Sequence, residues 1–167
     1  MKIAMLLAVM VTTPQVRDAL EYGNRHYSIS EIPMLGLWDY CDGEPADGKT
    51  KPPDFDFAGS GNWASYEAVW LVRDSKLYLK EIKAKRDGKP IKNAQILPGK
   101  KFPLQADWFS GRIHLAVGGY NERKQSSESV IIFHVEKGNV VETTFEPELK
   151  IQFEWNGMPP EQAAQQE

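Results

Sequence analysis

Motifs that carry chemistry are scarce in this sequence. The single cysteine, Cys41, excludes an internal disulfide and leaves the redox compartment open. The three histidines, His26, His114 and His134, are too far apart to form a local metal-binding pair, so we expect structural or surface roles for them. Gly118-Gly119 is not followed by the Lys-Ser or Lys-Thr of a phosphate-binding loop, and no Gly-x-Ser-x-Gly nucleophile elbow occurs. The sequence therefore predicts no metal and no cofactor, and it favours a protein that is not an enzyme.

Long apolar runs are also scarce, and the one that occurs, Ile3 to Val11, has nine residues. It is too short to span a bilayer, but it fits either the hydrophobic region of a signal peptide or a buried first strand. No Ala-x-Ala cleavage site follows it. We therefore expect a cytoplasmic protein, with a periplasmic or secreted one as the alternative.

Neither acidic nor basic residues are in large excess over the whole chain, but the basic residues are unevenly distributed. The net charge of -3 provides no general attraction for nucleic acid. Between Lys76 and Lys101, however, there are nine basic residues and only two acidic ones. This basic segment is either a solvated hairpin arm or a contact surface for an acidic protein partner, with Lys83, Lys85 and Lys89 as its candidate contacts.

Period-two alternation of apolar and polar residues is what the sequence has in abundance. Ala64, Tyr66, Ala68, Trp70 and Val72 share one face of a strand, and Asp74-Ser75-Lys76 reverses the chain into Leu77-Tyr78-Leu79. Gly23-Asn24 indicates a tight type II′ turn. Seven or more such strands predict a mainly β fold, an antiparallel meander that forms a small barrel or sandwich, with one short helix near residues 33–40. We expect one β-rich domain over residues 17–156, preceded by the apolar segment 1–16 and followed by a polar tail, 157–167.

Aromatic and acidic side chains supply the other candidate site residues. Tyr66, Trp70 and Trp108 could line a small-molecule cavity inside a barrel. Glu67 and Asp107 lie in aromatic segments and, with His114, are the side chains that an unrecognised hydrolase could use. Core packing for the rings, and turn or solvent positions for the two carboxylates, are the simpler interpretations.

Four short patterns resemble those of a group of uncharacterised bacterial proteins. They are Trp-x-x-Tyr-x-Ala-x-Trp from Trp63 to Trp70, the strand Leu77-Tyr78-Leu79, Ala-Asp-Trp-x-x-Gly from Ala106 to Gly111, and Glu-Lys-Gly-x-Val-Val from Glu136 to Val141. The resemblance covers roughly Leu20 to Phe145. It implies an autonomous β-rich bacterial domain, and because the group has no established activity, it assigns no catalytic residue.

These observations together favour a non-catalytic domain that binds a protein partner, as an immunity-type or accessory protein does. The absence of a catalytic motif and the segregation of charge both support this prediction. A small-molecule-binding β-barrel and an unrecognised hydrolase are the alternatives. The candidate binding residues are Tyr66, Trp70, Asp107, Trp108, Lys83, Lys85 and Lys89.

Overall fold

The computed structural model describes residues 16–40, 44–46, 48–62, 64–121 and 126–150. The apolar run Ile3 to Val11, Cys41 and the tail 157–167 lie outside the described residues. Of the proposed domain 17–156, the structure therefore describes most residues up to 150.

Nine strands make the described part of the chain mainly β, as predicted. They are β1 (Asp18–Tyr22), β2 (Arg25–Ile29), β3 (Tyr66–Arg73), β4 (Lys76–Arg86), β5 (Lys89–Pro90), β6 (Leu104–Gln105), β7 (Gly111–Asn121), β8 (Ser126–Glu136) and β9 (Asn139–Lys150). The helix expected near residues 33–40 is a 3-10 helix, Pro33–Gly36, with proline in its first turn. A second short helix, α1 (Asn93–Ile96), was not predicted.

Several tight turns between strands have positive φ at both of their central residues. Gly23 and Asn24 have φ of 56° and 61°, so this turn is type I′ and not the predicted type II′. Asp87-Gly88 and Lys137-Gly138 follow the same pattern. Type I′ turns match the right-handed twist of a hairpin, and Asn and Asp tolerate the left-handed region better than most residues.

The strands form one mixed sheet in the order β2-β1-β3-β4-β9-β8-β7. β1 and β3 are parallel, with Leu20 opposite Trp70, whereas the other pairs are antiparallel. β4 and β9 share a single ladder pair, Lys76 with Asn139, so the sheet has two halves that join only at their hairpin turns. The described strands do not close into a barrel, although β2 and β7, at the two ends of the sheet, approach each other.

The core lies on the inward face of this sheet, where the predicted alternation is observed from Tyr66 onward, although Ala64 precedes β3 and Val69 is also buried. Tyr66, Ala68, Trp70 and Val72 of β3 are buried. They pack with residues from both halves of the sheet, among them Leu20, Leu79, Ile113, Leu115 and Phe133. Each large apolar side chain removed from water stabilises the fold by roughly 1.5–3 kcal/mol. The two halves are therefore held together mainly by this shared core.

Asn93, the first residue of α1, replaces a neighbouring strand along part of β4. Its Oδ1 accepts from the Ile82 amide at 2.9 Å, and its Nδ2 donates to the Lys80 carbonyl at 3.1 Å. β6 pairs with β4 before this point, at Tyr78 and Leu79, and Ile91 donates to the Ala84 carbonyl after it. The side chain therefore satisfies backbone groups that no strand reaches.

We expect Asn93→Ala to lower the free energy of unfolding by about 1–3 kcal/mol, mainly because the partly buried Ile82 amide loses its partner, whereas the Lys80 carbonyl is exposed and can bond to water. Chemical denaturation measures the loss, and the Ile82 amide should exchange with solvent faster. Gln95→Ala is the control, since Gln95 bonds only to the exposed Lys92 amide in the same helix. Equal losses in the two variants would contradict this role for Asn93.

Candidate functional site

A cleft of about 600 Å³ lies between β4, the start of β3 and the loop that includes residues 56–62. Asp56 positions the loop: its amide donates to the Lys85 carbonyl at 2.9 Å, and its carboxylate accepts from the amides of Asp87 and Gly88 at 2.9 and 2.7 Å. The loop is therefore fastened to the β4–β5 turn. The apolar part of the lining is Phe57, Ala58, Ile82, Ala84, Pro90 and Ile91.

Acidic residues from other strands neutralise part of the basic segment. Lys80 Nζ lies 2.6 Å from a carboxylate oxygen of Glu21 on β1, and Lys83 Nζ lies 3.1 Å from Glu67 Oε1 on β3. Arg86 Nε donates to the Asp54 backbone carbonyl at 3.1 Å, a hydrogen bond that holds the side chain without neutralising its charge. These partners are distant in sequence, so the local excess of positive charge overstates the charge that a partner would meet.

Lys85 and Lys89, together with Arg86, carry the positive charge that remains near the cleft. Lys85 is part of the lining, and Lys89 faces Arg86 in the β4–β5 ladder. Neither lysine forms an ion pair with any residue in the described ranges. Phe57, next to Asp56, is 76% exposed. An exposed aromatic ring thus lies close to a hairpin tip that bears unpaired lysines.

The structure separates the predicted aromatic residues from the predicted lysines. Tyr66 and Trp70 are buried in the core, and Trp108 is partly buried, with its indole N–H 3.2 Å from the Pro33 carbonyl. None of these three rings lines the cleft. Asp107 lies exposed in the turn after β6. Of the seven candidate binding residues, only Lys83 and Lys85 belong to the lining.

Asp18 is a buried carboxylate that the sequence analysis missed. It is 8% exposed, and it accepts from the Ala68 amide at 3.0 Å and from Trp70 Nε1 at 2.9 Å. Burial raises the pKa of Asp18 to about 6, although both hydrogen bonds favour the ionised form. Its partners lie about 50 residues away in the chain, so no local pattern could have indicated this contact.

Two tyrosines lie close to Asp18 but are poorly suited to proton transfer at neutral pH. Burial raises the pKa of Tyr40 to about 12 and raises the pKa of Tyr66 further. Trp38 and Phe55 pack against the Tyr66 ring, with centroids at 5.2 and 6.0 Å. Aromatic side chains therefore enclose the Tyr66 ring, which indicates a structural role for it.

The three candidate hydrolase residues occupy separate places. Glu67 is in the cleft and paired with Lys83, whereas Asp107 is not part of that lining. His114 lies on β7, with Nδ1 2.6 Å from Glu31 Oε1. The geometry therefore does not bring the carboxylates and the histidine together in this cleft.

The described residues contain no group of three or more His, Cys, Asp or Glu side chains that could hold a metal ion. In the same part of the chain, no helix has the length and apolar character needed to cross a bilayer. No family model, curated protein or solved structure matches this chain.

Proposed function

We propose that this domain is non-catalytic and binds a protein partner through Phe57, Lys85, Lys89 and the adjoining cleft, which we call the binding face. The observation that carries the proposal is the 76% exposure of the Phe57 ring beside the β4–β5 hairpin tip. Large exposed aromatic side chains are typical anchors of protein interfaces. The expected partner inserts an apolar side chain next to the ring and presents carboxylates to the two lysines.

Rigid support makes this surface suitable for recognition. Because the Asp56 carboxylate bonds to two amides of the hairpin turn, Phe57 is held near the lysines without the partner's help. A surface that is already ordered loses less conformational entropy on association. The unpaired lysines add electrostatic steering of an acidic partner, which raises the association rate more than the final affinity.

The resemblance implies only an autonomous β-rich bacterial domain, and the immunity-type role and the cytoplasmic location rest instead on the segregated charge and the missing cleavage site. A bacterial domain of this kind would act as an immunity-type or accessory protein, in the cytoplasm, by occupying a surface of its partner. No reaction is needed for that role. The charged residues of the cleft next to Phe57, which are Glu67, Lys83 and Lys85 among others, would form the rim of the interface, where water and charged groups are common.

Site-specific photo-crosslinking tests the proposal in cells of the source organism. With benzoylphenylalanine in place of Phe57, we expect a discrete cross-linked adduct with one protein. The same substitution at Phe145, which is 63% exposed on β9, should give none. Reversing two charges with Lys85→Glu and Lys89→Glu should reduce the adduct about tenfold, a loss of about 1.4 kcal/mol.

Lys100→Glu with Lys101→Glu is the matched control for charge. These residues belong to the same basic segment, are exposed, and are not part of the cleft lining. The control changes the net charge by the same amount and should leave the adduct unchanged. Equal adducts from positions 57 and 145, or equal losses in the two charge-reversal variants, would contradict the proposed binding face.

A further inference from the structure

The two ends of the sheet meet at a boundary that no ladder pairing closes in the described residues. β2 and β7 approach each other there, and we call this boundary the seam. Antiparallel ladders elsewhere in the sheet hold neighbouring strands together, for example over most of the length of β7 and β8. The seam therefore depends on the shared core and on side-chain contacts, so a change in one strong contact across it alters how often it opens.

A contact between His114 and Glu31 crosses the seam. Glu31 follows the end of β2 by two residues, and its Oε1 lies 2.6 Å from Nδ1 of His114 on β7. The Glu31 side chain is 20% exposed, and the His114 side chain is 31% exposed. The second oxygen of Glu31, Oε2, is buried and has no hydrogen-bond partner among the described residues. The carboxylate thus depends on His114 for most of its stabilisation.

We propose that the His114–Glu31 contact is a pH-sensitive latch, which holds the seam closed while His114 is protonated and releases it as the pH rises. A protonated imidazole supplies both a hydrogen-bond donor and a positive charge to the largely buried carboxylate. A neutral imidazole supplies at most the donor. Loss of the proton therefore leaves a poorly solvated negative charge at the seam, and separation of the strands lets water reach it.

Other charged groups around His114 modify this balance without replacing Glu31. Arg112, on the same strand, disfavours the protonated imidazole, and Glu146, on β9, favours it. His134, on β8, lies opposite Arg112 in the ladder. The hydrogen bond to Glu31 is the largest influence: it raises the pKa of His114 above its ordinary value, whereas burial acts in the opposite direction.

The direction of the pH effect follows from this raised value. In an open seam the histidine has an ordinary pKa of about 6.5. The closed seam holds the His114 proton more tightly than the open seam does. The resulting preference for the closed seam is complete below about pH 6.5 and is lost as the pH rises through the higher pKa that His114 has in the closed state. We therefore expect the seam to loosen on the alkaline side of neutrality.

Opening of the seam would change the surroundings of three aromatic side chains, Tyr22, Trp108 and Phe133. Tyr22 of β1 and Phe133 of β8 pack edge to face, with centroids 4.9 Å apart, and so connect the two halves of the sheet. Trp108 Nε1 bonds to the Pro33 carbonyl, two residues from Glu31. Opening of the seam would expose apolar interior surface near the first pair and change the surroundings of Trp108.

Hydrogen exchange between pH 6 and pH 9, corrected for the intrinsic dependence of exchange on pH, tests the latch. We expect amides in residues 25–29 and 111–117 to lose about tenfold in protection at the higher pH, while those in residues 76–79 of β4 do not change. The fluorescence of the apolar dye anilinonaphthalene sulfonate should rise over the same pH range. In the wild-type protein, a seam whose protection does not change between pH 6 and pH 9 would overturn the proposal.

Two variants assign the effect to the contact. His114→Gln keeps a donor for Glu31 but cannot titrate, and Glu31→Gln removes the charge, so each should abolish the pH-dependent loss of protection. His26→Gln is the control: His26 lies on β2, is 72% exposed, and is 3.7 Å from Glu21, so its loss should leave the effect intact. Circular dichroism verifies that each variant folds. Persistence of the effect in a folded His114→Gln or Glu31→Gln protein would refute the latch.

Discussion

Gly138→Ala should lower the free energy of unfolding by about 3–5 kcal/mol, the largest loss that we expect from a single methyl group in this protein. Gly138 has φ of 73°, and a Cβ there would lie 2.7 Å from the carbonyl carbon and oxygen of Ala106. Both contacts are with backbone, which cannot rotate away. The variant therefore combines an unfavourable φ with a steric clash, and chemical denaturation measures the sum.

The position of Gly138 explains why the clash cannot be relieved locally. Its carbonyl accepts from the Leu77 amide, and its own amide donates to the Phe109 carbonyl, both at 2.9 Å. The residue thus connects the β8–β9 turn to β4 and to the segment after β6. Because β4 and β9 share only one ladder pair, a shift at this turn disturbs the junction between the two halves of the sheet.

Gly88→Ala is a closely matched control. Gly88 has the same φ of 73° at the second position of another type I′ turn, and a Cβ there would have nothing within 4 Å. Only the conformational cost remains, about 1 kcal/mol. Similar losses in the two variants would show that the approach of Gly138 to Ala106 does not matter to stability.

Asp18 should make the protein less stable as the pH rises from about 4 to about 6, opposite to the effect of a carboxylate in an ion pair. Burial raises its pKa from 3.8 to about 6, so the folded state keeps a proton that the unfolded state has released. The stability that Asp18 contributes is complete below its ordinary pKa, declines between that value and the raised pKa of the folded state, and is gone above the raised pKa. The change is about 3 kcal/mol for a shift of about two pH units.

Asp18→Asn isolates this effect from the other carboxylates. The difference in unfolding free energy between wild type and variant, measured from pH 4 to pH 7, should follow the titration of Asp18 alone. Trp70→Phe supplies an independent test, because the Trp70 hydrogen bond lowers the pKa of Asp18 and its loss should extend the decline to higher pH. A difference between wild type and Asp18→Asn that is constant over pH 4 to pH 7 would rule out the raised pKa.

Much of the local structure could be predicted because its causes are local. Alternation of Tyr66, Ala68, Trp70 and Val72 requires one buried face, and the structure buries that face. Pro33 begins the 3-10 helix, since its missing amide and fixed φ suit a first turn. The parallel pairing of β1 with β3 was not predicted, because a register between segments some 50 residues apart leaves no periodic trace in either strand.

The candidate site shows the same division. Lys83 and Lys85 were identified from charge density, but Phe57 was missed because nothing in its own segment shows that the loop is fastened to a distant turn through Asp56. The pairing of Lys80 with Glu21 and of Lys83 with Glu67 also follows only from the order of β1, β3 and β4 in the sheet.

Local patterns were enough to predict the mainly β content, the inward face of β3 and the positions of the hairpin turns, because backbone preference and hydrophobic period act over a few residues. Only the folded structure shows which charges are neutralised, which carboxylate is buried and where the sheet stays open. Those properties depend on desolvation and on distances of a few ångströms between residues such as His114 and Glu31, which are far apart in the chain.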